Sequence, residues 1–307
     1  MQHVSSATTA RAESERAVAL WRIVLSSYIG LMKPHVTVLL LGTTLAAMAI
    51  AGTGLPPVSV TVATLIGGAL AAGSANAINC YYDRDIDRLM SRTKSRALPA
   101  GRISDTHALI FGITIGVLSF IILALFANVL AATLAVSAIL FYVFVYTMWL
   151  KRTTAQNIVI GGAAGAVPVL VGWAAATGTV GWPAFWMFVI IFMWTPPHFW
   201  ALSLVLRKDY ARAGVPMLPV VKGEVETYRQ IVLYTILLVA STLSLFFIHT
   251  LGYLYLVTAL LLGGGLIVLT IRLMRIRTLK EARSVFWFSN YYLALLFAAM
   301  VVDHILH

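Results

Sequence analysis

The chain has 307 residues, of which 60% are hydrophobic and only 11% are charged, and its formal net charge is +11. This composition excludes a water-soluble globular protein, because several apolar runs approach or exceed the ~20 residues that cross a hydrocarbon core about 30 Å thick. We therefore attribute the positive charge to membrane topology and to attraction of anionic lipid or substrate, and no nucleic-acid partner is expected.

Turn signals divide the apolar runs into nine predicted transmembrane helices. The predicted spans are 35–51, 57–81, 107–126, 129–149, 157–177, 183–204, 228–248, 251–271 and 284–304. The division of 107–149 into two helices depends on the turn signal near Asn128. The sequence thus predicts an all-α fold, a polytopic membrane bundle of nine helices.

The distribution of basic residues predicts the orientation of this bundle. All 22 Lys and Arg residues fall before span one or near the connections between spans two and three, four and five, six and seven, and eight and nine. Because short cytoplasmic loops collect Lys and Arg, the amino terminus is predicted to be cytoplasmic and the carboxyl terminus external. Residues 1–30 are predicted to be a cytoplasmic tail, since they lack the uninterrupted apolar core of a cleavable signal.

A weak internal repeat predicts two related halves within a single transmembrane domain, 31–307. Leu98-Pro99 leads to Asp105-Thr106 at the start of span three, and Leu218-Pro219 leads to Glu226-Thr227 at the start of span seven. The offset is four helices, so we expect two four-helix halves plus a ninth helix. The single cysteine, Cys80, permits no internal disulfide and no cysteine metal cluster.

The most charged stretch, "NCYYDRDIDRLMSRTKSRALPAG", begins at the predicted cytoplasmic end of span two. Asn79, Asp83 and Asp87 are four residues apart, so on a helix they share one face, whereas Asp85 points elsewhere. Oxygen ligands without Cys or His suit Mg²⁺, which binds a few carboxylates together with substrate phosphates and water. The alternative is an interfacial helix end whose acids pair with nearby arginines, namely Arg84, Arg88 and Arg92.

Basic residues downstream of the acidic row favour the metal interpretation. Arg92, Lys94 and Arg96 follow within one or two turns and could donate hydrogen bonds to an anion held by the metal. Acids that bind a cation and bases that bind phosphate belong together at a diphosphate. From the residues alone, the prediction is an Mg²⁺-dependent site for a lipid diphosphate.

Two further polar constellations are predicted on the same membrane face. The run "YTMWLKRTTAQNIVIGGAAGAVP" contains Lys151 and Arg152, followed by Gly161 and Gly165 at a spacing that lets helices approach closely. The run "WTPPHFWALSLVLRKDYARAGVPMLP" contributes two candidates from the end of span six and three from the loop after it, namely His198, Trp200, Arg207, Lys208 and Asp209. The tandem prolines in this second run, Pro196 and Pro197, are expected to bend or unwind span six.

These stretches resemble the intramembrane aromatic prenyltransferase superfamily, and within it the members that farnesylate heme. The resemblance is carried by "MKPHVT" at 32–37, by "NCYYDRDIDRLMSRTKSRALPAGRIS" at 79–104, by "YTMWLKRTTAQNIVIGGAAGAVPVLVGW" at 146–173 and by "WTPPHFWALSLVLRKDYARAGVPMLPVVKG" at 194–223. The Asn-x3-Asp-x3-Asp pattern marks the superfamily, whereas the Lys-Arg-Thr-Thr and Pro-Pro-His-Phe-Trp runs are typical of the heme enzymes.

The resemblance implies nine helices around a central cavity, with farnesyl diphosphate as donor, heme b as acceptor, heme O as product and Mg²⁺ as cofactor. The metal ligands it implies are Asn79, Asp83 and Asp87. The catalytic residues it implies are Asp83, Asp87, Lys151 and Arg152, and the diphosphate-binding residues are Arg92, Lys94, Arg96 and Lys208. Aromatic side chains such as Tyr81, Tyr146 and Trp200 are candidates to face an allylic cation.

The resemblance also places the enzyme in a bacterial inner membrane, with its active site toward the cytoplasm and with heme A synthase or terminal oxidase assembly as expected partners. The expected heme-binding residues are His198, His35 and Trp200. Quinone-type members carry a second aspartate-rich motif after span six, where this sequence has only Asp209 beside Arg207 and Lys208. This difference disfavours a second fully ligated Mg²⁺ and a quinone-precursor acceptor.

Other functions remain as alternatives at this point. The runner-up is a prenyltransferase that acts on another aromatic or quinone precursor. A secondary transporter would carry ionisable residues at mid-membrane, where these spans have almost none. A heme-binding respiratory subunit would need His pairs deep on facing helices. A phosphatidyltransferase would need a glycine-and-arginine interval between its aspartates that 79–101 lacks.

Overall fold

A computed structural model describes residues 21–52 and 54–306. Within these ranges the regular structure is helical, without strands. The first half contains α1 (Trp21–Leu31), α2 (Pro34–Ile50), α3 (Val58–Tyr82), α4 (Arg84–Leu89), α5 (Asp105–Phe126), α6 (Val129–Leu140), a π-helical segment (Phe141–Leu150) and α7 (Lys151–Thr153). The second half contains α8 (Asn157–Thr177), α9 (Trp182–Val205), α10 (Arg207–Arg212), α11 (Leu218–Val221), α12 (Gly223–Phe247), α13 (Tyr253–Ile276) and α14 (Leu279–Leu306).

The membrane bundle predicted from the sequence is confirmed. Eight helices of the described chain are long and apolar enough to cross a bilayer, and α1 with α2, bent by 51°, forms a ninth if the pair is one span. Helix α1 occupies the end of the predicted tail, so the chain is already helical at Trp21. Residues 1–20 and His307 lie outside the described residues, and the orientation of the bundle stays a prediction.

The predicted division at Asn128 is confirmed, and its cause is a helix cap. Asn128 accepts a hydrogen bond from the backbone N–H of Ala131 at 2.9 Å and donates one to the carbonyl of Ala174 at 2.7 Å. Such a cap satisfies a donor that the first turn of α6 leaves open, while the second bond fastens the turn to α8. One side chain therefore separates α5 from α6 and ties both to the second half.

Three helices extend further than the hydrophobic pattern predicts. Helix α12 begins at Gly223, α13 continues to Ile276 and α14 begins at Leu279. The added turns carry charged residues, which hydropathy assigns to loops although they are compatible with helix. These helices consequently extend beyond the apolar part of the bundle on the face that carries the Lys and Arg residues.

The core of the second half is built around α9, which packs against α8, α12 and α14. The largest fully buried side chains of this core include Trp200, Tyr255 and Tyr292. The Tyr292 hydroxyl lies 2.7 Å from that of Thr242, and the Tyr255 hydroxyl donates to the Thr242 carbonyl at 2.6 Å. These bonds satisfy polar groups where lipid and packed side chains offer no water.

The expected unwinding at Pro196-Pro197 is wrong, and the expected bend there stays a prediction. Helix α9 continues through both prolines from Trp182 to Val205. The prolines cannot donate to the carbonyls one turn earlier, but neighbouring helices enclose this part of α9 and hold it in a helical conformation. The side chains of Trp194, Pro196, Pro197 and His198 are all buried.

Close helix contact depends on particular glycines of α8. A Cβ atom on Gly172 would lie 2.4 Å from the backbone carbonyl oxygen of Thr44 in α2, and one on Gly161 would lie 2.3 Å from the Tyr146 ring. A Cβ atom on Gly165 would meet nothing within 4 Å. Of the predicted pair of small residues, only Gly161 therefore lies at a close helix contact.

We predict that Gly172→Ala destabilises the protein and that Gly165→Ala does not. The Gly172 substitution forces α2 and α8 apart, because the obstructing atom belongs to the backbone, and overpacking of this kind costs about 1–3 kcal/mol. Thermal unfolding in detergent measures the difference. Equal unfolding temperatures for the two variants would show that α2 and α8 are not packed as described.

Candidate active site

The acidic row lies where α3 meets α4, and its placement follows the helical spacing. Asp83 caps α3, yet its N–H bonds to the Asn79 carbonyl at 2.9 Å and its carbonyl accepts from the Asp87 N–H at 2.8 Å. Asn79, Asp83 and Asp87 are each at most 4% exposed, whereas the Asp85 side chain is 60% exposed. The buried row and the outward Asp85 agree with the helical geometry.

A continuous network joins two members of the buried row, Asn79 and Asp83, to two lysines. Lys33 donates to the Asn79 amide oxygen at 3.0 Å, and the Asn79 amide nitrogen donates to Asp83 at 2.7 Å. The Lys151 ammonium forms an ion pair with the same Asp83 oxygen. Thr147 accepts a further bond from Asn79 at 3.1 Å. The network fixes both ends of the Asn79 amide, so its oxygen faces a cation.

The third member of the row, Asp87, is held by the loop that follows α4. Arg96 pairs with Asp87 at 2.9 Å, and the Thr93 hydroxyl donates to the Asp87 carbonyl at 2.8 Å. The buried carboxylates therefore pair with Lys151 and Arg96, and not with the nearby arginines that the alternative interpretation required. Removing either partner would leave a buried charge uncompensated.

Arg152 lies on the outer side of the same segment. It donates to both oxygens of Asp85, at 2.7 and 2.8 Å, and lies 3.7 Å from Asp83. The hydrogen bonds from Arg152 lower the pKa of Asp85 to about 2, so this carboxyl stays ionised. Lys151 thus pairs with the buried Asp83, whereas Arg152 pairs with the exposed Asp85.

The remaining predicted diphosphate ligands are at the surface of the same face. Arg92, Lys94 and Lys208 are exposed, and Arg96 is half-buried. The loop after α9 approaches the acidic row through Asp209, whose two oxygens accept from the Ser91 hydroxyl at 2.6 and 2.7 Å. This contact brings the first and third charged runs together.

The π-helical segment sets the direction of the side chains before Lys151. The Lys151 N–H bonds to the Tyr146 carbonyl, five residues back. Nine residues separate Tyr142 from Lys151, which is about two and a half turns of an α-helix but about two turns of a π-helix. The wider turns therefore bring Tyr142 and Lys151 to the same side of the helix. Tyr142 and Tyr146, with ring centroids 5.1 Å apart, both have Asp83 as an electrostatic neighbour.

The other predicted aromatic candidates lie elsewhere. Tyr81 lies on the outer side of α3, where the guanidinium carbon of Arg84 is 4.6 Å from the centroid of the Tyr81 ring. Trp200 is buried in the core of the second half with its ring nearly perpendicular to that of Tyr234, and its indole N–H has no hydrogen-bond partner. Of the three aromatic candidates, Tyr146 is the one described beside the acidic row.

The predicted histidines occupy two different environments. His198 is buried between Trp194 and Phe286, whose rings stack on it at 4.2 and 4.6 Å. Its Nδ1 lies 2.8 Å from the Ser289 hydroxyl of α14. His35, near the start of α2, is exposed. The structure does not bring the two histidines together as a pair.

Lys33 and the Tyr142 ring were not predicted as site residues. Lys33 belongs to the run "MKPHVT", but its partner Asn79 is distant in sequence, so spacing could not reveal the contact. Its backbone is left-handed, with φ at 50°, at the bend between α1 and α2. A lysine directly before a proline between two apolar runs was the available signal.

Comparison with known proteins identifies the family. The model of the UbiA prenyltransferase family matches residues 40–296. A protoheme IX farnesyltransferase of Gloeobacter violaceus is 55% identical over 298 residues, which are 97% of this chain and 98% of that protein. A protein of the same name from Symbiobacterium thermophilum is 52% identical over 282 residues, covering 91% of this chain and 94% of that one.

Solved structures share the fold at low sequence identity. A digeranylgeranylglyceryl phosphate synthase matches with a TM-score of 0.77 and 20% identity, over 92% of this chain and 99% of that chain. A UbiA homologue from Archaeoglobus fulgidus, bound to DMAPP and Mg²⁺, matches with a TM-score of 0.64 and 16% identity, over 89% of this chain and 99% of that chain. Together with the family match over most of its length, these findings show that the chain belongs to the UbiA prenyltransferase family.

Proposed function

We propose that the chain transfers the farnesyl group of farnesyl diphosphate to a vinyl group of heme b, with addition of water, to give heme O. The observation that carries this proposal is the buried row of Asn79, Asp83 and Asp87, held by cations from three other parts of the chain. The names of the relatives supply the acceptor and the length of the prenyl group.

The residues of the row fit Mg²⁺ when a diphosphate completes its ligands. One Asp83 oxygen is buried without a hydrogen-bond partner, so it is available to a cation. Among the described residues no three His, Cys, Asp or Glu side chains cluster as a metal site, and the row offers two carboxylates and one amide. Such a set is typical of magnesium bound together with substrate phosphates. Asn79, Asp83 and Asp87 would hold the ion, which neutralises diphosphate charge.

The basic residues would stabilise the leaving group. In the proposed reaction the bond between farnesyl C1 and the diphosphate oxygen breaks, and its electron pair goes to the diphosphate. Lys33, Lys151 and Arg96 stand at the buried row to receive that charge, and the exposed Arg92, Lys94 and Lys208 surround its rim. Arg152, through its ion pair with Asp85, would orient Lys151 and the α3–α4 junction.

The allylic fragment would then meet aromatic rings and the acceptor. Tyr142 and Tyr146 precede Lys151, which pairs with Asp83, and their rings are the proposed groups that stabilise positive charge at C1. The π electrons of the heme vinyl group form the new carbon–carbon bond and leave a cation on the other vinyl carbon. Water adds its oxygen there and loses a proton. Each step balances without an oxidant or a reductant.

His198 is the proposed heme contact for which the structure offers a specific geometry. The Ser289 hydroxyl donates its hydrogen to the Phe286 carbonyl at 2.8 Å, so it can only accept from His198 Nδ1. A neutral ring in that tautomer has a free lone pair on Nε2, as in many metal-bound histidines. His35 and Trp200 remain further proposed contacts, one exposed and one with an unpartnered indole N–H.

A second candidate function is prenylation of another aromatic or quinone precursor. The fold neighbours that bind other prenyl diphosphates support the common donor chemistry. In this chain Asp209 is engaged by Ser91 and lies 3.7 Å from Arg212, so the loop after α9 offers no acidic cluster for a second metal. This observation favours the heme acceptor.

The cellular setting is part of the proposal. The multi-pass membrane fold, with its charged site on the basic face, supports a bacterial inner-membrane enzyme whose active site faces the cytoplasm. Heme A synthase or terminal oxidase assembly would be the partners that receive heme O.

The proposal is tested by incubating purified protein with heme b, Mg²⁺ and labelled isoprenyl diphosphates of several lengths. Mass spectrometry should find heme enlarged by one farnesyl group and one hydroxyl group, and chelation of Mg²⁺ should stop the reaction. Transfer to an aromatic quinone precursor in place of heme would establish the second candidate. Failure of every donor and acceptor pair would refute prenyl transfer.

We predict that Asp83→Ala and Asp87→Ala abolish turnover, whereas Asp85→Ala only weakens it. The first two carboxylates face the proposed metal, and the third is exposed and pairs with Arg152. Turnover of each variant at saturating Mg²⁺, beside its thermal stability, separates loss of chemistry from loss of folding. Equal loss in all three would mean that Asp85 acts in the reaction.

We predict that Lys151→Ala and Arg96→Ala depress farnesyl transfer and donor affinity by at least about tenfold. Each substitution removes a cation that contacts the acidic row. Heme binding, followed by absorbance, should stay near that of the unchanged protein. Loss of heme binding alone would reassign these residues to the heme propionates.

We predict that His198→Phe lowers heme retention and transfer while a farnesyl diphosphate analogue still binds. Phenylalanine preserves the stack with Trp194 and Phe286 but lacks Nε2, so the packing role is controlled within the substitution. His107→Ala, at an exposed position of α5, is the matched control. Heme spectra unchanged in His198→Phe would make His198 a packing residue.

A further inference from the structure

A pocket lies on the outer side of the α3–α4 junction, and none of the three residues of the buried acidic row lines it. Its volume is about 390 Å³. Its walls are formed by two tyrosines, three arginines and one aspartate, namely Tyr81, Tyr82, Arg84, Arg88, Arg152 and Asp85. The proposed reaction uses none of this space, since Asp83 and Asp87 face the other side of the segment.

The pocket carries more positive than negative side chains, and two of its three arginines are held in place by neighbouring side chains. Arg84 lies over Tyr81 and pairs with Asp105 at 2.8 Å, while Arg152 lies 5.2 Å from the Tyr82 ring centroid. Arg88 is exposed, and no described carboxylate lies within ion-pair distance of it. The Arg88 guanidinium is therefore a donor group of the pocket that no described carboxylate pairs with.

The surroundings of the pocket are those of a membrane interface. Leu89, directly after Arg88, is 50% exposed, and Trp149, three residues before Arg152, is 61% exposed. Exposed tryptophan beside basic side chains is typical of the level at which lipid head groups lie. A ligand here would have an anionic group at the arginines and apolar chains along the neighbouring helices.

We propose that this pocket binds the phosphate head group of an anionic phospholipid from the surrounding leaflet. Guanidinium groups donate paired hydrogen bonds to phosphate oxygens, and basic pockets at the ends of transmembrane helices suit such head groups. Because Arg152 also lies 3.7 Å from Asp83, lipid in the pocket contacts a residue shared with the buried row. The inference does not depend on the identity of the acceptor.

The test is native mass spectrometry of the full chain in a neutral detergent, with phosphatidylglycerol or phosphatidylcholine of identical acyl chains. The unchanged protein should retain phosphatidylglycerol in preference to phosphatidylcholine. Arg88→Gln should reduce that retention about fivefold, and Arg88→Lys should restore part of it, since charge near the surface carries the affinity. Arg229→Gln, an exposed arginine of α12 with a 70% exposed side chain, is the control and should change nothing.

Three results of this experiment would overturn the proposal. Equal retention of phosphatidylglycerol by Arg88→Gln and the unchanged protein would show that lipid binds elsewhere. Displacement of the lipid by equimolar inorganic phosphate would show a site for small anions, without recognition of the amphiphile. An equal decrease in Arg229→Gln would show that net charge alone attracts the lipid.

Discussion

The structure of the site depends on one constraint: two carboxylates buried at the end of a membrane helix must be neutralised. An isolated carboxylate in such surroundings costs several kcal/mol, and only a well-placed cation with further hydrogen bonds offsets this cost. Asp83 and Asp87 meet the requirement with Lys151 and Arg96. The two ion pairs connect the α3–α4 junction to Lys151, directly after the π-helical segment, and to the loop after α4.

The same constraint shapes the rest of the first half. Lys33 reaches Asn79 from the bend between α1 and α2, and the backbone there is left-handed. The π-helical turn aligns Tyr142 with Lys151, and Gly161 of α8 leaves space for the Tyr146 ring. Each irregularity lies beside the buried row. Local distortions of the helices are therefore associated with a polar cluster that the apolar bundle must accommodate.

Ion pairing also prepares the site for its ligands. Lys33 contacts the Asn79 amide oxygen, and Lys151 and Arg96 each contact one oxygen of Asp83 and Asp87. In the proposed function, a metal–diphosphate complex would bring both charges, so the carboxylates would exchange protein cations for the metal while those cations exchange carboxylates for phosphate. The net charge in the buried region would change little during this exchange. Neither the metal nor the diphosphate alone offers the same compensation.

The spans and the acidic row were predictable because they depend on local periodicity. Hydropathy placed the long apolar helices, although α12, α13 and α14 each extend beyond the predicted bound by about one turn. A four-residue spacing placed Asp83 and Asp87 inside and Asp85 outside. Contacts between distant residues were not predictable, as Lys33 with Asn79 and Ser91 with Asp209 show. The unwinding predicted from the tandem prolines failed for a related reason, because tertiary packing keeps α9 helical where the local sequence disfavours a helix. The π-helical turn has no signature in hydropathy.

The central claim, that cations of the chain hold the acidic row until metal and diphosphate replace them together, is tested most directly by calorimetry. Mg²⁺ is titrated into the purified protein with and without a non-hydrolysable farnesyl diphosphate analogue. We expect the analogue to raise the affinity for Mg²⁺ at least about tenfold, and Mg²⁺ to raise the affinity for the analogue by the same factor. Equal affinity for Mg²⁺ in the presence and absence of the analogue would contradict the claim.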